Sequence, residues 1–190
     1  MKRAVILHGT AGNPDGHWKK WLRHQLEERG YEVMAPLLPG SHSPNRHVYN
    51  DFLLKQDWDY EDNLIIGHSS GAVSILNILE DDRFPKIKTA VLIGAWNSLK
   101  IKDYEEDRFI NLFPEDGFKY DRIKPKAETI LFIHGDNDPW CPLEQAQGLA
   151  QNLESEIVVI PGGQHFVSHR DPKYKEFPEL IQILEDRNLI

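Results

Sequence analysis

The sequence predicts an α/β fold: a three-layer sandwich in which a six-stranded, mainly parallel sheet lies between two layers of helices. Three observations predict it. Short runs rich in Val, Ile and Leu recur six times, each closes on Gly or Pro, and stretches of helical period separate them. Apolar runs that do not alternate with polar residues mark strands buried on both faces. Strands that alternate with helices pair in parallel, through right-handed crossovers.

Each element follows in order. "RAVILHG" (3–9) is the first strand, and Trp18, Trp21, Leu22 and Leu26 then recur at the spacing of one helix face. "YEVMAPLLP" (31–39) is the second strand, with a weaker helix carrying Val48 and Phe52 beyond Pro44. "NLIIG" (63–67) is the third strand. Its helix carries Val73, Leu76 and Leu79 with Ile75 and Ile78 on the flanks, an all-round apolar pattern that predicts burial at the centre.

"IKTAVLIGA" (87–95) and "ETILFIHG" (128–135) are two further buried strands, separated by a charged, less periodic stretch at about 97–125. Leu143, Ala146, Leu149 and Leu153 make an amphipathic helix, and "EIVVIP" (156–161) is the sixth strand. Phe177, Leu180, Ile181 and Leu184 form the closing helix, with Pro178 tolerable in its first turn. Repeats, low-complexity stretches and linkers are absent from the pattern, so residues 1–190 are read as one domain.

A formal net charge of −8 argues against a nucleic-acid partner, because binding a polyanion needs a positive field. Cys141 is the single cysteine, which precludes an intrachain disulfide and suits a reducing compartment. The apolar stretch of "MKRAVILHGT" is too short for a signal peptide, and no run approaches the roughly 20 apolar residues of a membrane span. The expectation is a cytoplasmic protein with no membrane partner.

Gly67-His68-Ser69-Ser70-Gly71 interrupts the apolar pattern where the third strand must turn abruptly into its helix. The two glycines let strand and helix approach closely, and Ser69 is lifted clear at the apex. This is the G-x-S-x-G nucleophile elbow in its strand–turn–helix context. The plainer reading is a tight turn whose serine caps the helix. A serine hydroxyl needs a base to become nucleophilic, and the base needs an orienting group. Both are expected on loops after later strands, in the order Ser, acid, His.

"DNDPWCP" follows the fifth strand and offers Asp136 and Asp138. Asp138 is preferred as the acid on its loop context, with Asp136 read as capping the turn. Gln164-His165-Phe166 follows the sixth strand and supplies His165 as the base, with His169 its rival. His8, His68 and His134 end strands or sit in the elbow and are read as satisfying buried backbone groups. Metal-ligand spacing is not found, so neither a metal nor a cofactor is expected.

The oxyanion of an acyl transfer needs donors. The backbone N–H of Ser70, at the start of the elbow helix, is one candidate. The second is expected from "HGTAGNPDGHW" after the first strand, at Thr10, with Ala11 as the fallback. The same loop lacks the spacing of a nucleotide-binding loop.

With these three loops in order, the chain resembles the α/β-hydrolase superfamily, and more narrowly the small serine hydrolases related to retinoblastoma-binding protein 9. "VILHG", "HW..WL", "GHSSGA", "GDNDPWCP" and "GGQHF" carry the likeness over nearly the whole chain. The resemblance implies a Ser69–Asp138–His165 triad and a six-stranded sheet lacking the two leading strands of larger relatives. The Leu-x-Cys-x-Glu motif linked with retinoblastoma protein is absent around Cys141, so that partner is not expected.

The slot at 97–125 is large enough for a short cap and too short for a cap domain, which predicts a fairly open site. Trp96 and Trp140 are placed equally well in the pocket wall or the core, while Trp18 and Trp21 read as core. The function expected is hydrolysis of small or medium carboxylic esters or thioesters through an acyl-enzyme. An amidase or peptidase using the same groups, or a non-catalytic binder on the same fold, are the alternatives.

Overall fold

Residues 1–98 and 108–190 are described by the computed structural model. Six strands appear where the apolar runs lie: β1 (Lys2–Leu7), β2 (Tyr31–Met34), β3 (Leu64–His68), β4 (Ile87–Ile93), β5 (Ala127–Gly135) and β6 (Glu156–Ile160). They form one sheet in the order β2-β1-β3-β4-β5-β6, and every neighbouring pair is parallel. β2 is shorter than its apolar run because the chain leaves the sheet before Pro36 and Pro39, whose rings carry no ladder donor.

The helices are α1 (Lys19–Glu28), α2 (Arg46–Leu54), α3 (Ser70–Glu80), the single turn α4 (Tyr120–Ile123) and α5 (Leu143–Asn152) between strands, and α6 (Pro178–Asp186) after the last one. Alternate residues of each strand face opposite layers. Ala4, Ile6, Leu64, Ile66, Val91 and Ile93 pack with Leu22 and Leu26 of α1 and Leu180 and Leu184 of α6. Val5, Leu7, Ile65, Ala90 and Leu92 face the other way, onto α2, α3 and α5. Each large apolar side chain so buried contributes about 1.5–3 kcal/mol against exposure.

α3 is buried from Ser70 through Leu79, as its all-round apolar sequence predicts. In α2 the buried face is Tyr49 and Leu53, whereas Val48 is exposed, so the face is displaced by one residue from the expected Val48–Phe52 pair. Asn45 sets that phase: its side chain accepts from the amides of His47 and Val48 and starts the helix there.

Part of the expected cap, residues 99–107, lies outside the described residues. Beyond it, Phe109 and Leu112 are buried against the α3 side of the core. The Arg46 amide donates to the Asn111 carbonyl at 2.8 Å, tying this stretch to α2.

β1 leads to β2 on one side while β3 continues on the other, so the crevice at the carboxyl ends of β1 and β3 is the sheet's topological switch point. Ligand sites in open α/β sheets form there. The glycine at position 71 lets α3 lie directly over that edge, because a methyl group on it would stand 2.5 Å from the Leu7 carbonyl oxygen.

Candidate active site

Ser69 links β3 to α3 with φ 58° and ψ −126°, a conformation that L side chains adopt only when the surroundings enforce it. Its amide donates to the Ile93 carbonyl at 2.8 Å, and its carbonyl accepts from Ala72 at 2.8 Å. The strand before and the helix after thus hold the turn from both ends. Its side chain makes no capping hydrogen bond to α3, so the reading of a serine that merely caps the helix loses its basis.

His165 stands on the loop after β6, and its Nδ1–H donates to Asp138 Oδ2 at 2.5 Å. The Asp138 side chain is fully buried, and Oδ1 accepts from the amides of Trp140 and Cys141 at 2.9 and 3.0 Å. The carboxylate is therefore fixed by its own loop before it meets the imidazole. Because Nδ1 carries the proton, Nε2 of His165 is the basic nitrogen. Asp136 accepts from the Gly162 amide at 2.8 Å and ties the two loops together. Of the two acids, only Asp138 has a described bond to His165.

Four further imidazoles brace the site. His68 donates through Nε2 to the His165 carbonyl at 2.8 Å, and burial holds its pKa well below the ordinary value. His134 donates through Nε2 to the Cys141 carbonyl at 2.8 Å, holding the loop that carries the acid. His8 accepts the Leu38 amide at Nε2 and donates from Nδ1 to the Gly9 carbonyl, both at 2.9 Å. His17 accepts the Ser168 amide at Nδ1, 3.1 Å away. Burial lowers the pKa of His8 and His134, and takes His17 down to about 4 with help from Lys19 and His169. These rings act as neutral hydrogen-bonding struts at neutral pH.

On the side where the sequence places the oxyanion donors, the Thr10 hydroxyl donates to the Ser70 hydroxyl at 3.0 Å, which joins the loop after β1 to the first residue of α3. The Ala11 amide is occupied, donating to the Ser41 carbonyl at 2.8 Å, so the fallback donor is already used. The Ser70 amide belongs to the first turn of α3, where N–H groups lack an intrahelical acceptor.

Ser69 and His165 line a single cavity of about 180 Å³ together with Thr10, Trp96 and Trp140. Trp96 serves as both core and wall: it is 3% exposed and packs edge-on against Phe109 and Phe113. Trp140 stands edge-on to the His165 ring at 5.0 Å and receives the Arg170 guanidinium on its own face. Trp18 is core, its Nε1–H donating to the Phe166 carbonyl at 3.0 Å, and Trp21 packs against the same layer. His169 reaches the cavity as well, 5.5 Å from the His17 ring.

Asp138, Cys141 and His165 bring ligand-type atoms within 4.8 Å of one another. Burial pushes the Cys141 thiol well above its usual pKa, and the carboxylate already engages the imidazole. That donor set suits a hydrogen-bonded acid–base pair better than a metal centre, which takes thiolate.

Sequence reasoning missed His17, Lys19, Arg108 and Val167 as cavity residues. One signal for Lys19 was present, since it precedes Leu22 and Leu26 by three and seven residues and so shares their apolar face.

The sequence profile of one family, serine hydrolase, matches residues 4–186. The serine hydrolase RBBP9 of Rattus norvegicus is 25% identical over 186 residues, covering 96% of this chain and 94% of the relative. YdeN of Bacillus subtilis is 22% identical over 184 residues, covering 96% and 94%. The crystal structure of the ydeN gene product superposes with a TM-score of 0.85 over 98% of both chains. Est1E from Butyrivibrio proteoclasticus, solved with ferulic acid bound, has a TM-score of 0.64 at 19% identity, over 89% of this chain and 83% of its own.

Proposed function

The chain belongs to the serine hydrolase family and is a hydrolase of the α/β-hydrolase fold; from that premise we propose that it cleaves small or medium carboxylic esters or thioesters with Ser69, His165 and Asp138. The observation that carries the reading is the Asp138–His165 hydrogen bond of 2.5 Å beside a cavity that Ser69 also lines. Ser69 Oγ attacks the acyl carbon while His165 Nε2 takes the hydroxyl proton. The amides of Ser70 and Thr10 receive the oxyanion. Collapse of the tetrahedral intermediate expels the alcohol or thiol, which takes the proton back from the imidazolium. Water then repeats the sequence on the acyl-enzyme and releases the acid.

Asp138 holds the imidazole tautomer and stabilises its cation without itself being protonated. Trp96 and Trp140 form the apolar wall for the acyl or alcohol group. The whole chain acts as one domain, and of the short cap-like stretch expected at 97–125, Arg108 and Phe109 line the cavity. A cytoplasmic setting fits the single, buried cysteine. Amides engage the same groups, and an amide analogue of the best ester measures that second preference.

Steady-state hydrolysis of short 4-nitrophenyl esters tests the roles. Ser69→Ala and His165→Ala lower turnover by roughly 10⁴–10⁶, and Asp138→Asn costs somewhat less. Asp136→Asn keeps near wild-type turnover. The opposite pattern at the two aspartates, or an active Ser69→Ala variant, contradicts the assignment.

A further inference from the structure

Lys19 is the least expected side chain in the cavity wall. It is 1% exposed yet lines the same cavity as Ser69 and His165. Among the described residues its ammonium has no carboxylate and no hydrogen-bond acceptor, and its one described partner is the face of the Trp18 ring, 5.1 Å away. It also opens α1, whose first turn holds no acid, so a cation sits at the positive end of a helix. Burial, lack of an anionic partner and an opposing helix dipole all disfavour a lysine here. Departures of this kind from local consistency concentrate at functional sites.

Among the described residues the rest of the wall offers one further cation, Arg108, and a set of nitrogen-bearing rings. The Arg108 side chain and the rings of His17, His68, His165 and His169 line the cavity, and among the described residues no carboxylate does. The Asp138 side chain, which contacts the lining residue His165, is fully buried and engaged by that ring. This nitrogen-rich wall lies within a protein of net charge −8, so it is a local arrangement and not a reflection of the overall composition.

Resting on the hydrolase reading of Ser69, we propose that Lys19 receives an anionic group of the substrate, making the preferred substrates esters or thioesters that carry a carboxylate. A carboxylate beside the ammonium supplies the missing acceptor and charge partner, and the interaction is strengthened by the desolvated setting. Burial takes the lysine down to about 7 in the free protein, and an arriving anion restores its charged form.

The test compares the 4-nitrophenyl half-ester of adipic acid with uncharged 4-nitrophenyl heptanoate, on wild type, Lys19→Met and Lys19→Arg. The wild type prefers the anionic ester in kcat/KM. Lys19→Met lowers that preference by roughly 10- to 100-fold, chiefly through KM, and Lys19→Arg restores part of it. Should Lys19→Met not fold, Lys19→Gln carries the same comparison. An anionic preference that is missing in the wild type, or unchanged in Lys19→Met, overturns the proposal. Fluorophosphonate labelling in parallel separates the two claims: labelled protein without the preference sinks only the anion site, and unlabelled folded protein sinks the reading of Ser69. The 4-nitrophenyl ester of 5-phosphonopentanoic acid, if favoured over the adipate half-ester, replaces carboxylate by phosphoryl and overturns the stated class.

Discussion

Ser69 and Lys19 are two residues that stability alone does not account for. A serine at φ 58° costs on the order of 1–3 kcal/mol, and it persists because the Ile93 carbonyl and the start of α3 hold its backbone. The strain presents the hydroxyl above the sheet edge. Lys19 carries its cost through titration: it ionises at 10.5 in an ordinary setting and at about 7 when buried here. Between those values the unfolded chain binds more protons than the folded one, so this residue makes stability rise with pH across that window. Below about pH 7 it is charged in both states and its penalty is fully present. Lys19→Met is therefore expected to gain stability on the order of a few kcal/mol at pH 6, with the gain fading toward pH 10. Urea unfolding at a series of pH values measures it, and a gain independent of pH contradicts the burial argument.

At the scale of elements, the loops after β1, β3, β5 and β6 bring the chemistry together, and β4 shapes the floor beneath them. Gly94, just beyond β4, has φ 62°, and a methyl group there would stand 3.1 Å from His165 Cε1 and 3.2 Å from Nδ1. Gly94→Ala is expected to cost roughly 1–2 kcal/mol of stability from backbone strain. Its larger effect is on kcat, reduced by roughly 10- to 100-fold as the imidazole is displaced. Comparing turnover with thermal unfolding separates the two, and wild-type kcat in this variant contradicts the placement. The strands and the buried helix α3 were legible because their apolar runs are long and uninterrupted. The phase of α2 was not, because Val48 is as apolar as Tyr49 in a weak pattern and only the Asn45 cap decides which face turns inward.

Across the whole molecule, a parallel sheet whose strand order reverses between β1 and β3 makes a crevice at its carboxyl edge, and three distant loops meet there. The turn at Ser69 and the loops carrying Asp138 and His165 could be located from sequence since each follows a recognisable strand. The choice of Asp138 over Asp136 was legible only as a matter of loop context. The coordinates add the bonds: one acid engages His165 and the other the Gly162 amide. The bracing by His8, His68 and His134 lay within the sequence reading as buried backbone partners, but the residues they support emerge only from tertiary contacts. His17 and Lys19 lay outside the sequence reading: a loop histidine gives no sign of the wall it joins, and the place of Lys19 on the apolar face of α1 shows its burial but not the cavity it lines.

Hydrolysis by this protein requires that the Ser69 hydroxyl be activated in the folded chain. Mass spectrometry of the intact chain after brief exposure to a fluorophosphonate, followed by peptide mapping, addresses that directly. The predicted result is one adduct per chain, located on Ser69, absent from Ser69→Ala and much slowed in His165→Ala. An unmodified folded protein, or an adduct formed at another residue at the same rate in Ser69→Ala, would contradict it.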